Sequence, residues 1–104
     1  MDTEKCRKLL REKKFTEVLD VLEEELRSLY MEMLDYGEVE YSKEWSLEKL
    51  GVEISKIYPS YFNSVISCEN VLYSGEYNYN DSIDMILDSY YNISKNYKTR
   101  LIKE

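Results

Sequence analysis

The chain has 104 residues, a net charge of −7 and no histidine. The length fits one compact domain, and the missing histidine removes the commonest general acid–base residue and the usual nitrogen ligand of zinc. Three glycines and one proline offer few turns, which favours a few long helices over many short strands. We therefore predict an all-α fold, with residues 1–104 forming a single helical-bundle domain.

Charge is unevenly distributed along the chain. Residues 1–14 carry six basic and three acidic side chains, residues 95–104 carry four basic and one acidic, and the residues between them hold a net charge of −13. A field this negative repels phosphate backbones, so no nucleic-acid partner is expected. The acidic stretch is either a solvated surface or a face for a basic partner. If the two basic ends meet, we expect a small anion site made of Arg7, Arg11 and Arg100.

The first two predicted helices follow each other closely. A short helix starts at a cap on Asp2 or Thr3 and ends near residues 13–14. The second occupies residues 15–36, where apolar residues recur at steps of three and four, with Thr16 as its predicted cap and Gly37 as a left-handed residue at its end. A helix of about 20 residues is roughly 30 Å long, so we place it at the centre of the bundle.

The middle of the chain is expected to hold less regular helices. Residues 38–44 are polar and acidic and predict a loop. The apolar pattern resumes at residues 45–57, where Gly51 predicts a break into two helical pieces, capped by Ser42 or Ser46. Pro59 suits the first turn of a helix that runs to about residue 73. That helix is apolar nearly all round, which is typical of a buried helix or a subunit interface.

The last predicted helix follows a loop at residues 74–81. Asn80 or Asp81 is its expected cap, and its apolar residues again recur at steps of three and four as far as Tyr97 or beyond. The total is about five helices, and no strand is predicted.

The two cysteines, Cys6 and Cys68, show no metal-binding spacing. We expect reduced thiols in a cytoplasmic protein, although the sequence alone leaves a disulfide open. No apolar run is long enough to cross a membrane, and the first residues lack the apolar region of a signal peptide. We predict an intracellular protein without a cofactor, a metal or a membrane partner.

Eleven tyrosines are the unusual feature of the composition. Tyr73, Tyr77 and Tyr79 gather before the last helix, where they either fold back on the bundle or form contact surface. Tyrosine is enriched at protein interfaces, whereas stacking on nucleic acid requires basic neighbours that this loop lacks. With Tyr61 and Phe62 of the preceding helix, these tyrosines are our predicted interaction residues.

Two segments resemble a known family. They are residues 9–19, Leu-Leu-Arg-Glu-Lys-Lys-Phe-Thr-Glu-Val-Leu, and residues 71–77, Val-Leu-Tyr-Ser-Gly-Glu-Tyr. This order resembles the HEPN superfamily, the higher eukaryotes and prokaryotes nucleotide-binding domain, whose members are bundles of four or five helices. Its ribonucleases use an arginine and a histidine, which a chain without histidine cannot supply. The resemblance implies the non-catalytic branch, whose members bind partners or substrates beside a nucleotidyltransferase and commonly dimerise.

We predict a non-enzymatic protein-interaction module that associates with itself, as a homodimer. Two alternatives stay open: a HEPN-like partner or substrate-binding subunit that works with a nucleotidyltransferase, and a small acidic inhibitor or immunity-type protein that blocks a basic target.

Overall fold

The computed structural model describes residues 3–73 and 79–101. These residues form five α-helices and no strand, so the predicted all-α bundle is confirmed. The helices are α1 (Thr3–Arg11), α2 (Phe15–Tyr36), α3 (Leu47–Ile57), α4 (Phe62–Tyr73) and α5 (Tyr79–Arg100), with one turn of 3-10 helix at Pro59–Tyr61. None of the helices in this part of the chain has both the length and the apolar content needed to cross a membrane.

The second helix is central, as predicted. Helix α2 packs against α1, α3 and α5, and α4 packs against α3 and α5. The rings of Tyr36 and Tyr97 are 5.6 Å apart, so α2 and α5 end at the same end of the bundle and run in the same direction. Tyr61, just before α4, packs on Tyr58, which in turn packs on Tyr97 near the end of α5. Tyr73, at the end of α4, bonds to Glu23 in the first half of α2, so α4 runs the opposite way.

One hydrophobic core joins all five helices. Helix α2 contributes more of it than any other helix, because the apolar residues at steps of three and four turn one continuous face inward. The buried residues of α2 are Val18, Leu22, Leu26, Leu29, Tyr30, Met33 and Leu34. The opposing helices supply Leu47, Leu50, Ile54, Val65, Cys68, Ile83, Ile86, Leu87, Ile93 and Tyr97, and α1 supplies Cys6.

The ends of α1 and α2 differ from the predictions. Thr16 lies inside α2, whose capping position is Lys14, and that residue makes no side-chain cap. Gly37 has φ −81°, and the left-handed residue is Glu38 at φ 59°. The Glu38 N–H donates to the Asp35 carbonyl, and the Val39 N–H donates to the Leu34 carbonyl. Glu38 therefore occupies the position after the helix end that usually holds glycine.

The side chain of Ile57 packs over Gly37 instead. A Cβ on Gly37 would lie 2.8 Å from Cδ1 of Ile57, so this terminal methyl group would have to shift to make room for it. The end of α3 therefore lies against the end of α2 at Gly37.

Helix α3 is continuous, so the predicted break at Gly51 is wrong. Gly51 is buried where α3 packs on α4, and a glycine costs a helix only about 1 kcal/mol, which does not by itself end the helix. The predicted cap at Ser46 is confirmed, because its hydroxyl accepts a hydrogen bond from the Lys49 N–H. The predicted loop at residues 38–44 is also confirmed.

The remaining boundaries fall close to the predictions. The segment from Pro59 to Tyr73 is helical but opens with a 3-10 turn before α4 begins. Helix α5 starts at Tyr79, which places Asn80 and Asp81 within its first turn and not at the capping position. Most of the predicted loop before α5 lies outside the described residues.

Candidate interaction surface on the third and fourth helices

Three apolar side chains are exposed next to one another where α3 and α4 meet. Phe62 and Ile66 follow each other at helical spacing on α4, and Val52 lies across from them on α3. Their exposed fractions are 52%, 39% and 50%. They line a groove of about 380 Å³ between the two helices. We call Val52, Phe62 and Ile66 the α3–α4 face.

Gly51 lines this groove and lets the two helices approach each other closely. A Cβ on Gly51 would lie 2.8 Å from Cγ1 of Val65 and 2.5 Å from Oε1 of Glu69. Val52, the next residue on α3, and Ile66, the residue after Val65 on α4, are partly exposed.

Charged side chains surround the apolar centre of the groove. Glu48 and Lys56 of α3 and Glu69 of α4 all line it. Partial burial raises the pKa of the Glu69 carboxyl, and the negative charge of Glu48 raises it further. Lys56 is bonded to Glu53 at 2.9 Å, but its side chain is 64% exposed. The groove is thus an apolar patch with acidic groups at one end of α3 and a cation at the other.

The predicted interaction residues are found in different environments. Phe62 belongs to the α3–α4 face, and Tyr73 is exposed on the same side of α4 with its hydroxyl donating to Oε1 of Glu23 at 3.1 Å. Tyr61 is 3% exposed and lies in the core, so its assignment to the contact surface is wrong. Tyr77 and the side chain of Tyr79 lie outside the described residues.

Tyr61 is buried because it belongs to an aromatic cluster at the end of the bundle where α4 begins, opposite the end where Tyr73 lies. We call Tyr36, Tyr58, Tyr61 and Tyr97 the tyrosine end. The Tyr58 ring lies 6.2 Å from the ring of Tyr61 and 6.1 Å from that of Tyr97. Its hydroxyl donates to the Met33 carbonyl at 3.1 Å. Burial, together with the neighbouring tyrosines, raises the pKa of Tyr58 to about 12.

The two basic ends of the chain do not meet, which corrects the prediction of a shared anion site. Arg7 lies beside the start of α5, where its Nη1 is 3.1 Å from Oδ1 of Asp84. Arg100 is at the far end of the same helix, about 24 Å along the axis from Asp84 at 1.5 Å per residue. Arg11 is exposed at the end of α1. These three arginines therefore lie too far apart to bind one anion together.

Both cysteines are buried, and neither forms a disulfide. Burial raises the pKa of the Cys68 thiol to about 12, although a hydrogen bond with Ser89 opposes the rise. A thiol with this pKa forms little thiolate near neutral pH and is a poor nucleophile. Within the described residues, 3–73 and 79–101, no three cysteine, aspartate or glutamate side chains are close enough to bind one metal ion together.

Val52 and Ile66 were not among the predicted contact residues, although the sequence holds a signal for each. Val52 is two positions from both Leu50 and Ile54, so it is out of step with the buried face of α3. Ile66 follows Phe62 by four residues, a spacing that places both on one side of α4. That side lies away from the buried residue Cys68.

No protein-family model, curated protein or solved structure matches this chain.

Proposed function

We propose that the protein is a non-enzymatic interaction module and that its partner is a second copy bound at the α3–α4 face. The observation that carries this proposal is the grouping of Val52, Phe62 and Ile66 on one exposed groove. Burial of a complete side chain of this size yields roughly 1.5–3 kcal/mol, and each of these is about half exposed. Two copies that share the groove would bury all six side chains.

Other exposed aromatic residues already have partners within the chain. The Lys95 ammonium lies 4.7 Å above the ring of Tyr91, and that of Lys98 lies 5.4 Å above the ring of Tyr36. The hydroxyl of Tyr73 bonds to Glu23. Valine, isoleucine and phenylalanine side chains have no polar atom, so only contact with another apolar surface removes the cost of their hydration. This difference supports the α3–α4 face as the interface.

The proposal is tested by sedimentation equilibrium of the wild type, Phe62→Ala and Tyr91→Ala. Phe62 and Tyr91 are matched in exposure, at 52% and 56%, but lie on different surfaces. The wild type should approach twice its 12.5 kDa mass as concentration rises. Phe62→Ala should raise the dimer dissociation constant about tenfold or more, which is about 1.4 kcal/mol. Tyr91→Ala should leave it unchanged.

Two results would contradict the proposal. One is a wild-type chain that stays at 12.5 kDa at every concentration, which would leave the acidic-inhibitor alternative to be tested by the salt dependence of binding to a basic target. The other is an equal effect of the two alanine variants, which would show that the association does not depend on the α3–α4 face.

A further inference from the structure

We propose that two copies associate with their α3 helices antiparallel, about a two-fold axis near Val52, so that Glu48 of each copy pairs with the partner's Lys56. This arrangement rests on the self-association proposed above and specifies its geometry. It follows from a pattern on α3 that is complementary to itself.

The pattern is the spacing of three residues. Glu48, Val52 and Lys56 are four residues apart in turn, so they lie along one side of α3, and all three line the groove. Val52 is midway between the acidic and the basic side chain, about 6 Å along the axis from each. A two-fold axis at Val52 reverses the second helix and places each Glu48 opposite a lysine. Interfaces of this type use the same patch on both copies, which must therefore complement itself.

Helix α4 lacks such a pattern. Its only charged residue is Glu69, so an axis through the middle of α4 would bring two negative charges together. An axis on α3 instead places α4 at the sides, where Phe62 and Ile66 extend the apolar contact. The cation of the approaching copy also comes close to Glu69, which lies near Glu48 without a cation bonded to it in the described contacts.

The two charged groups on α3 are accessible to a partner. Glu48 is exposed in the first turn of the helix. Lys56 bonds to Glu53 on its own helix, but exposed pairs at this spacing contribute little, and the lysine side chain is 64% exposed. Each copy also carries a net charge of −7, so two copies repel each other at long range and local opposite charges are needed at the contact.

Charge reversal tests this geometry directly. Glu48→Lys and Lys56→Glu each convert both intermolecular pairs into like-charged pairs, so each should raise the dimer dissociation constant about tenfold or more. The double variant, Glu48→Lys with Lys56→Glu, restores both pairs with reversed sign. Its dissociation constant should return to within about threefold of the wild type. Sedimentation equilibrium measures all four proteins, and circular dichroism melting shows that each is folded.

Two matched controls separate local pairing from net charge. Glu24→Lys on the exposed side of α2 and Lys43→Glu in the loop before α3 change the net charge by the same amounts, at exposed residues outside the groove. Both should leave the dissociation constant unchanged.

The outcomes distinguish this geometry from the broader proposal. If Phe62→Ala weakens the dimer but the double variant remains as weak as the single ones, the face is correct and the antiparallel geometry is wrong. If neither single reversal has an effect, the geometry is also wrong. A monomeric wild type overturns both proposals.

Discussion

The tyrosine end and the α3–α4 face differ in how far their large side chains are exposed to solvent. At the tyrosine end, Tyr58 is fully buried, bonds to the Met33 carbonyl and packs against two other rings. At the α3–α4 face, Phe62 and Val52 are half exposed in a shallow groove. At the tyrosine end the fold buries a ring and bonds its hydroxyl, whereas at the α3–α4 face side chains without a hydroxyl group stay partly exposed.

This contrast follows from the hydrogen bonds and ring contacts that each type of side chain can form within one chain. A tyrosine ring can be buried when its hydroxyl reaches a backbone carbonyl, as in Tyr58, or it can stay at the surface with a lysine above it, as in Tyr91. A valine has neither option, and a phenylalanine has no hydroxyl to bond. The tyrosine-rich composition therefore does not by itself identify the interaction surface.

The largest expected effect comes from truncation at the tyrosine end. Tyr58→Ala removes a fully buried ring and one of the two donors to the Met33 carbonyl, which keeps the Gly37 N–H, so we expect the free energy of unfolding to fall by about 3–5 kcal/mol. Phe62→Ala, at 52% exposure, should lower it by less than about 1 kcal/mol. Urea unfolding of dilute, monomeric samples measures both, and equal losses would contradict the division between the two regions.

A smaller difference in the free energy of unfolding is expected when the hydroxyl is removed from each of two buried tyrosines. Tyr58→Phe removes a bonded hydroxyl and should cost about 1 kcal/mol. The hydroxyl of Tyr30 is buried without a hydrogen-bond partner, and burial raises its pKa far above the usual range for tyrosine. Tyr30→Phe should therefore leave stability unchanged or raise it by about 1 kcal/mol. The two variants lose the same atom, so similar losses in urea unfolding would contradict this account.

The smallest effect concerns Glu69 beside the α3–α4 face. Burial, and then the charge of Glu48, raise the pKa of this carboxyl above its ordinary value of about 4.5, so the folded chain holds the proton more tightly than the unfolded chain. This contribution is complete below the ordinary pKa and is lost as pH rises through the raised value. Glu69→Gln should thus be slightly more stable than the wild type at pH 7.

The pH dependence provides the control for that variant. The difference between Glu69→Gln and wild type in urea unfolding should shrink as pH falls to about 4, because both side chains are then uncharged. A difference that is constant with pH would show that packing, and not charge, distinguishes the two proteins.

Most of the fold could be predicted because apolar spacing reports which side of a helix is buried. The bounds of α2 match the apolar run from Phe15 to Tyr36, and Ser46 caps α3 as its position suggests. The glycines were misinterpreted because their close neighbours belong to other helices. A Cβ on Gly51 would meet Val65 of α4, and a Cβ on Gly37 would meet the end of the Ile57 side chain of α3. Contacts of this kind depend on tertiary packing that local sequence does not specify.

The candidate site was predicted only in part. Phe62 was expected at the surface and is exposed, but Tyr61 beside it is buried, because the 3-10 turn directs adjacent side chains to different sides. The predicted anion site was wrong because it required the basic residues near both ends of the chain to lie together. Their positions depend on the directions of α1 and α5 in the bundle, and the composition carries no information on helix direction.

The central claim is that the α3–α4 face of one copy covers that of another, and electron spin resonance distance measurement tests it most directly. A spin label attached at Asn63→Cys, an exposed residue of α4 beside the groove and not in its lining, is selective because Cys6 and Cys68 are both 0% exposed. Above the dimer dissociation constant, the two labels should show dipolar coupling and lie closer together than labels at Tyr91→Cys. Absence of dipolar coupling at Asn63→Cys, or a shorter distance at Tyr91→Cys, would contradict the claim.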